Sequence, residues 1–237
     1  MAFAIFEKKR IVEHASIDEA NAAARMTSFD KLILVCGPSG GGKTTLLQLY
    51  RSGGLPDEIM GFFFPSADRW PVIDATNKMR RDIESEGPEA VAQRMNSPFG
   101  LFLHYDITSV LRSGLDGYGS DPALRLLNLA RELQVIFVRP SQDTLLNQFT
   151  SRDATRRSRK SSVARLWNGV LLNRLRRVRA RLTQRTWSSE TQIYSDPAWI
   201  ARCYSDWELY LEQLAQRTHS LCGVLRVEPS VEISGQP

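Results

Sequence analysis

KLILVCGPSGGGKTTLLQLY, residues Lys31 to Tyr50, decides the fold, because an apolar run, a glycine-rich turn and a helical pattern follow one another without interruption. Leu32, Ile33, Leu34, Val35 and Cys36 contain no polar residue, as expected of a strand covered on both faces in a parallel sheet. The run ends at Gly37. From there Gly37, Gly42, Lys43 and Thr44 satisfy the G-x-x-x-x-G-K-[ST] spacing, with the strand before it and the helix after it that the spacing requires.

Each residue type has a physical reason to be there. Gly37, Gly40, Gly41 and Gly42 open backbone conformations closed to other residues and let N–H groups point at phosphate oxygens with no side chain in the way. Lys43 offers a compact positive charge to the outer phosphates, Thr44 offers a hydroxyl to Mg²⁺, and the helix adds its positive end. The expected nucleotide contacts are therefore Gly37, Pro38, Ser39, Gly40, Gly41, Gly42, Lys43, Thr44 and Thr45.

This segment resembles the Walker A motif of P-loop nucleoside triphosphate-binding proteins. The resemblance implies an α/β fold: a doubly wound, mainly parallel P-loop sheet with flanking helices. The wording GPSGGGKTTLL is also similar to transporter-type ATPases, but their LSGGQ signature lies well downstream, and outside the motif itself the only SGG here, Ser52 to Gly54, comes directly after the motif helix.

With 237 residues and 42% hydrophobic content, the chain can bury one sizeable α/β domain carrying an insertion. Three widely spaced cysteines, Cys36, Cys203 and Cys222, fit a reduced cytoplasmic setting and show no zinc-ligand spacing. No apolar run approaches the ~18 residues of a membrane helix, so no membrane association is expected. The net charge of +5 conceals an asymmetry: residues 152–185 hold twelve Lys/Arg against one acid, Asp153, and the remainder of the chain is net negative.

Working outward, residues 1–29 read as an N-terminal extension, with a short strand within Ala2 to His14 and a helix over Ile17 to Met26 that Ser16 and Glu19 would cap. Residues 30–237 read as the P-loop domain. Ile59 to Phe64 is the candidate second strand, and Asn77 to Glu86 a helix; Arg69, Arg80 and Arg81 are offered as contacts to an anionic acceptor. Gly100 to Asp106 is a strand ending in a carboxylate, the place for a Mg²⁺-orienting aspartate or a catalytic base. Asp106 takes that role, with Thr44 as the other metal ligand. His104 lies two residues earlier on the same strand face, as a core or supporting histidine.

LQVIFVRP, from Leu133, is the next strand, and Ser141-Gln142-Asp143 opens a helix. The segment 152–190 reads as a basic helical lid or insertion. Leu171, Leu175, Val178 and Leu182 form one helical stripe, and Arg174, Arg177, Arg181 and Arg185 the next. Arginine suits phosphoryl transfer because its planar fork binds phosphate oxygens in pairs. Arg152, Arg156, Arg157 and Arg159 are the lid candidates, and Arg152 and Arg156 join Lys43 and Asp106 as the expected catalytic set. The same span, with Trp167 and Trp187, also has the make-up of a polyanion or RNA footprint. Trp199, Tyr204, Trp207, Tyr210, Leu211 and Leu214 are a core-packing helical face, and SLCGVLRV, from Ser220, the last strand.

The leading expectation is transfer of the γ-phosphoryl group of Mg²⁺·ATP to a small anionic or hydroxylated acceptor, as in the small P-loop kinases the order of segments resembles. Two others stand beside it. Val138-Arg139-Pro140-Ser141-Gln142-Asp143 is similar to a P-loop sulfotransferase pattern, although Asn147 stands where that family uses serine. A slow ATPase that engages RNA or a partner through 152–185 is the third. No N-K-x-D motif supports guanine selection.

Overall fold

The structure, a computed structural model, describes residues 2–10, 29–95, 99–109, 115–148, 196–218 and 220–230. The candidate helix over Ile17 to Met26, the lid 152–190 with Arg152 and Arg156, and the basic stripes lie outside these residues. The chain divides into two compact units, one of residues 1–140 and 203–237, the other Ser141–Arg202.

The first unit is an α/β sandwich built on a six-stranded sheet. Its strands are β1 (Ala2–Arg10), β2 (Phe29–Gly37), β3 (Val72–Asp74), β4 (Leu101–Asp106), β5 (Ala130–Val138) and β6 (Leu221–Ser230), in the order β1-β6-β5-β2-β4-β3. All neighbours are parallel except β1, which pairs antiparallel with β6. The unbroken apolar run at 32–36 has its explanation in this order: β2 lies between β4 and β5, and Leu32 to Cys36 are all fully buried.

Helices cover both faces. On one, Leu46, Leu47 and Tyr50 of α1 (Lys43–Ser52) pack with Ile33, Val35, Phe102, Ile136 and Val138. On the other, Trp207 of α6 (Pro197–Arg217) stacks on Tyr105, ring centroids 5.4 Å apart, and meets Tyr118 of α5 (Leu115–Ser120) edge-on at 4.9 Å. Tyr204, Trp207, Tyr210, Leu211 and Leu214 are all buried, the 3.6-residue stripe expected of a core-facing helix. Burial pushes the Cys36 thiol upward, the mark of a core residue.

The second strand is not where the sequence places it. Asp57–Met60 is a short helix, α2, and the chain then turns through Phe62, Phe63 and Phe64, while the strand is Val72–Asp74. All three phenylalanines are buried in the cluster on the α1 face, with Phe63 stacked on Tyr50 at 3.8 Å. A strand would send consecutive residues to opposite faces. Here the backbone closes on itself instead, Phe62 N–H donating to Ile59 O (3.0 Å) and Phe63 N–H to Met60 O (3.1 Å).

Asn77–Glu86 is a helix as expected, α3, with the Thr76 hydroxyl accepting from Met79 N–H at 3.2 Å; α4 (Pro88–Arg94) follows it. Arg80 on α3 does not face an acceptor. Its Nε and Nη2 donate to the buried Asp121 carboxylate at 2.9–3.0 Å, its Nη1 to Ala75 O at 2.6 Å and its Nη2 also to Ser109 Oγ at 3.0 Å. The Tyr105 hydroxyl donates to the same carboxylate at 2.8 Å; burial and then the Asp121 charge push that phenol upward, so it stays a donor. In the smaller unit, Ser141 Oγ accepts from Thr144 N–H at 3.3 Å at the start of a helix over 142–148, and Asp196 Oδ1 accepts from Ala198 N–H at 3.0 Å.

Removing Asp121 strands the Arg80 guanidinium, the Tyr105 hydroxyl and the Ala123 N–H, which donates to Asp121 Oδ1 at 2.9 Å. Asp121→Ala is expected to lower unfolding stability by about 3 kcal/mol, as for a buried pair losing one partner. Urea denaturation followed by circular dichroism measures it, and Arg81→Ala, an exposed neighbour, is expected to change it by less than ~0.5 kcal/mol.

Candidate functional site

The chain leaves β2 toward β3 and β4 on one side of the sheet, whereas β5 and β6 lie on the other, so the carboxyl end of β2 is the point where strand order reverses. Open α/β sheets form their ligand crevice there. Gly37 is the last residue of β2, and the parallel register sets it opposite Asp106, the last residue of β4. Only glycine fits at this exit: φ is +152°, and a Cβ would come within 2.4 Å of Val138 O at the end of β5.

The loop then closes onto α1. Gly41 N–H donates to Pro38 O at 3.0 Å, and a Cβ on Gly41 would sit 3.0 Å from that same oxygen. Gly42 caps the helix at φ 95°, ψ 6°, with no side-chain cap and no acid in the first turn. Most helices place a capping side chain or a carboxylate there to meet the first-turn N–H groups. Here the first turn begins with a lysine. Lys43 folds back beneath the loop, donating to Gly37 O at 2.8 Å and Pro38 O at 2.7 Å, and is 5% exposed.

Thr44, the next residue, is exposed, Thr45 is half-buried, and Ser39 and Gly40 line the half-exposed rim. Asp106 Oδ1 accepts from Thr108 N–H (3.0 Å) and Thr108 Oγ1 (2.6 Å), which fixes the carboxylate at the strand tip. Thr44 and Asp106 are hard oxygen donors of the kind Mg²⁺ takes, few enough that phosphate oxygens and water would complete its shell. No cluster of three His, Cys, Asp or Glu side chains able to hold a metal occurs among the described residues.

Sequence reasoning missed Asp74. It ends β3, opposite His104 in the register, and its Oδ1 lies 2.6 Å from His104 Nδ1. His104 sits below the ordinary histidine range: burial disfavours the charged ring, the Lys43 cation adds to this, and Asp74 pulls the other way. The ring is thus neutral at pH 7. A carboxylate only accepts, so the proton resides on Nδ1 and the Nε2 lone pair faces inward, buried, with no hydrogen bond to a described residue. The signal was present in PVID, an apolar pair ending in an acid, a short version of LFLHYD.

The arginines separate. Arg80 is spent on Asp121, Arg69 and Arg81 are exposed, and Arg139, at the end of β5, holds its guanidinium 5.2 Å from the Tyr204 ring centroid. Among the described residues no helix is long and apolar enough to cross a membrane.

No family model and no curated protein matches the chain. Among solved structures it is similar to one from Chloroflexus aurantiacus j-10-fl described as "a putative kinase", at 19% identity and a TM-score of 0.31, over 53% of this chain and 68% of that one.

The Gly37 contact makes a direct prediction. Gly37→Ala must displace backbone rather than a flexible side chain, and is expected to cost about 1–3 kcal/mol, as overpacking does. Gly53→Ala, with nothing within 4 Å of its Cβ but φ at +70°, isolates the conformational share of that cost in a parallel thermal melt.

Proposed function

We propose that the protein is an ATP-dependent phosphotransferase of the P-loop kinase type. The observation that carries this reading is the complete glycine-lysine-threonine loop at the carboxyl end of the central strand, opening an uncapped helix N-terminus beside a fixed aspartate. Anionic phosphates suit that position, because the first-turn N–H groups and the helix dipole are unopposed by any acid.

In this mechanism the backbone of Gly37 to Thr44 cradles the outer phosphates, and Lys43 exchanges a loop carbonyl for a phosphate oxygen as the nucleotide enters. Thr44 and Asp106 would hold Mg²⁺, which supplies charge neutralisation to the transferring group. Arg152 and Arg156 are proposed as the arginines of the reaction, since paired guanidinium donors suit phosphate oxygens and stabilise transition-state charge. Transfer itself needs little covalent chemistry from the protein beyond position and electrostatics.

A thermal-shift titration tests the reading, since a ligand that binds the native state raises its melting temperature by mass action. Mg²⁺·ATP is expected to stabilise the wild type and to lose that effect in Lys43→Ala, with turnover abolished while the fold survives. Stabilisation only by the phosphoadenosine sulfate donor would turn the assignment to a sulfotransferase. Full activity in Lys43→Ala would overturn both.

A further inference from the structure

β3 is a three-residue strand at the sheet edge, and its only chemical side chain is Asp74 at the carboxyl end, the end at which the phosphate loop lies. Asp74 is 68% exposed at the side chain, yet it is not free to rotate, because Oδ1 is held 2.6 Å from His104 Nδ1. Its second oxygen makes no hydrogen bond to a described residue. His104 is itself braced: its strand is pinned between β2 and β3, and its carbonyl accepts from Ala75 N–H at 3.0 Å. The result is a rigid carboxylate with one oxygen fixed and one directed to solvent, level with Val35 and two strands away, about 10 Å across the sheet at ordinary strand spacing, and two residues short of Gly37 along it.

The charge around that carboxylate selects among acceptors. The two cations of α3 nearest in sequence to this edge are both paired: Lys78 Nζ lies 2.9 Å from Asp82 Oδ2, and Arg80 has its guanidinium neutralised by Asp121 and filled by Ala75 O and Ser109 Oγ. Asp74 and Asp106 leave the ends of β3 and β4 acidic. A phosphate or carboxylate acceptor would approach like charge, and its attacking oxygen, already ionised at neutral pH, would need no base. A hydroxyl has the opposite requirements: it donates a hydrogen bond to a carboxylate, and it must lose a proton as it attacks.

We propose that the acceptor is an uncharged alcohol, such as a polyol, sugar or nucleoside hydroxyl, bound and deprotonated by Asp74, with His104 as the residue that positions it. The proposal rests on the phosphotransferase reading above. In the transfer step the hydroxyl oxygen forms a bond to the γ-phosphorus, the bond from that phosphorus to the β,γ-bridging oxygen breaks, ADP leaves with the electron pair, and the hydroxyl proton passes to the free oxygen of Asp74. No further reactant is needed.

The test measures ADP release from Mg²⁺·ATP with two acceptor panels, one of uncharged polyols, sugars and nucleosides, the other of nucleoside monophosphates and small carboxylates. Stimulation by a member of the first panel is expected. Asp74→Asn, which retains a hydrogen-bonding group of the same size but cannot take the proton, is expected to lower kcat for that alcohol by about 10²–10⁴-fold with KM changed only a few-fold. His104→Ala should lower kcat as well, and His104→Asn, which restores a donor near the Nδ1 position, should recover most of the loss; a purely structural histidine would show no such rescue. Both Asp74→Asn and His104→Asn are expected to keep the melting-temperature rise with Mg²⁺·ATP. Stimulation by the anionic panel alone overturns the proposal, as does full alcohol-dependent kcat in Asp74→Asn. If Mg²⁺·ATP stabilises the protein but no alcohol stimulates it, the alcohol assignment falls while the nucleotide reading stands. If Mg²⁺·ATP does not stabilise the wild type, both fall together.

Discussion

Lys43 is a charged side chain with almost no contact with water, and the site depends on how that charge is accommodated. An ammonium group removed from water requires close acceptors. It finds them in the carbonyls of Gly37 and Pro38, which belong to the exit of β2, while the lysine itself belongs to the first turn of α1. One side chain thus ties strand to helix across the intervening loop and keeps the turn closed. The carbonyls of Gly37 and Pro38 are thereby turned to the ammonium group, and Pro38 O also accepts from Gly41 N–H at 3.0 Å, which closes the turn from within.

The strand beneath that loop has little freedom to be elsewhere. Gly37 passes so close to Val138 O that a single Cβ would overlap it, which sets the separation between the ends of β2 and β5. On the other side the register sets Gly37 beside Asp106 and Asp74 beside His104. The acidic groups at the strand ends are therefore placed by backbone pairing, and their side chains only complete the arrangement through Thr108 and His104.

The opposite face of the sheet carries a different kind of order. Tyr105 and Asp106 are adjacent in β4 and point to opposite faces, so one strand anchors a stack with Trp207 and an ion pair through Asp121 while presenting a carboxylate at its tip. Arg80 shows how the two faces divide the charges: a cation that could have served the crevice is committed to the support behind it.

By itself the sequence determined the α/β class, the position of the central strand, the glycine-rich turn into the helix that begins with Lys43, Asp106 at a strand tip, and the aromatic face of α6. These are local: continuous apolar residues, fixed glycine and lysine spacing, and 3.6-residue periodicity each act within a few turns of chain. Tertiary structure alone decided what pairs with what. Phe62 to Phe64 read as a strand because aromatic residues favour pleated surfaces, but the cavity over Tyr50 and Phe102 accepted all three on one face and the chain turned instead. Val72 to Asp74 gave almost no strand signal because an edge strand is exposed and short, so Asp74 stayed hidden until its register with His104 appeared. Arg80 looked like an acceptor contact because its partner Asp121 is 41 residues away, a distance no local pattern can span.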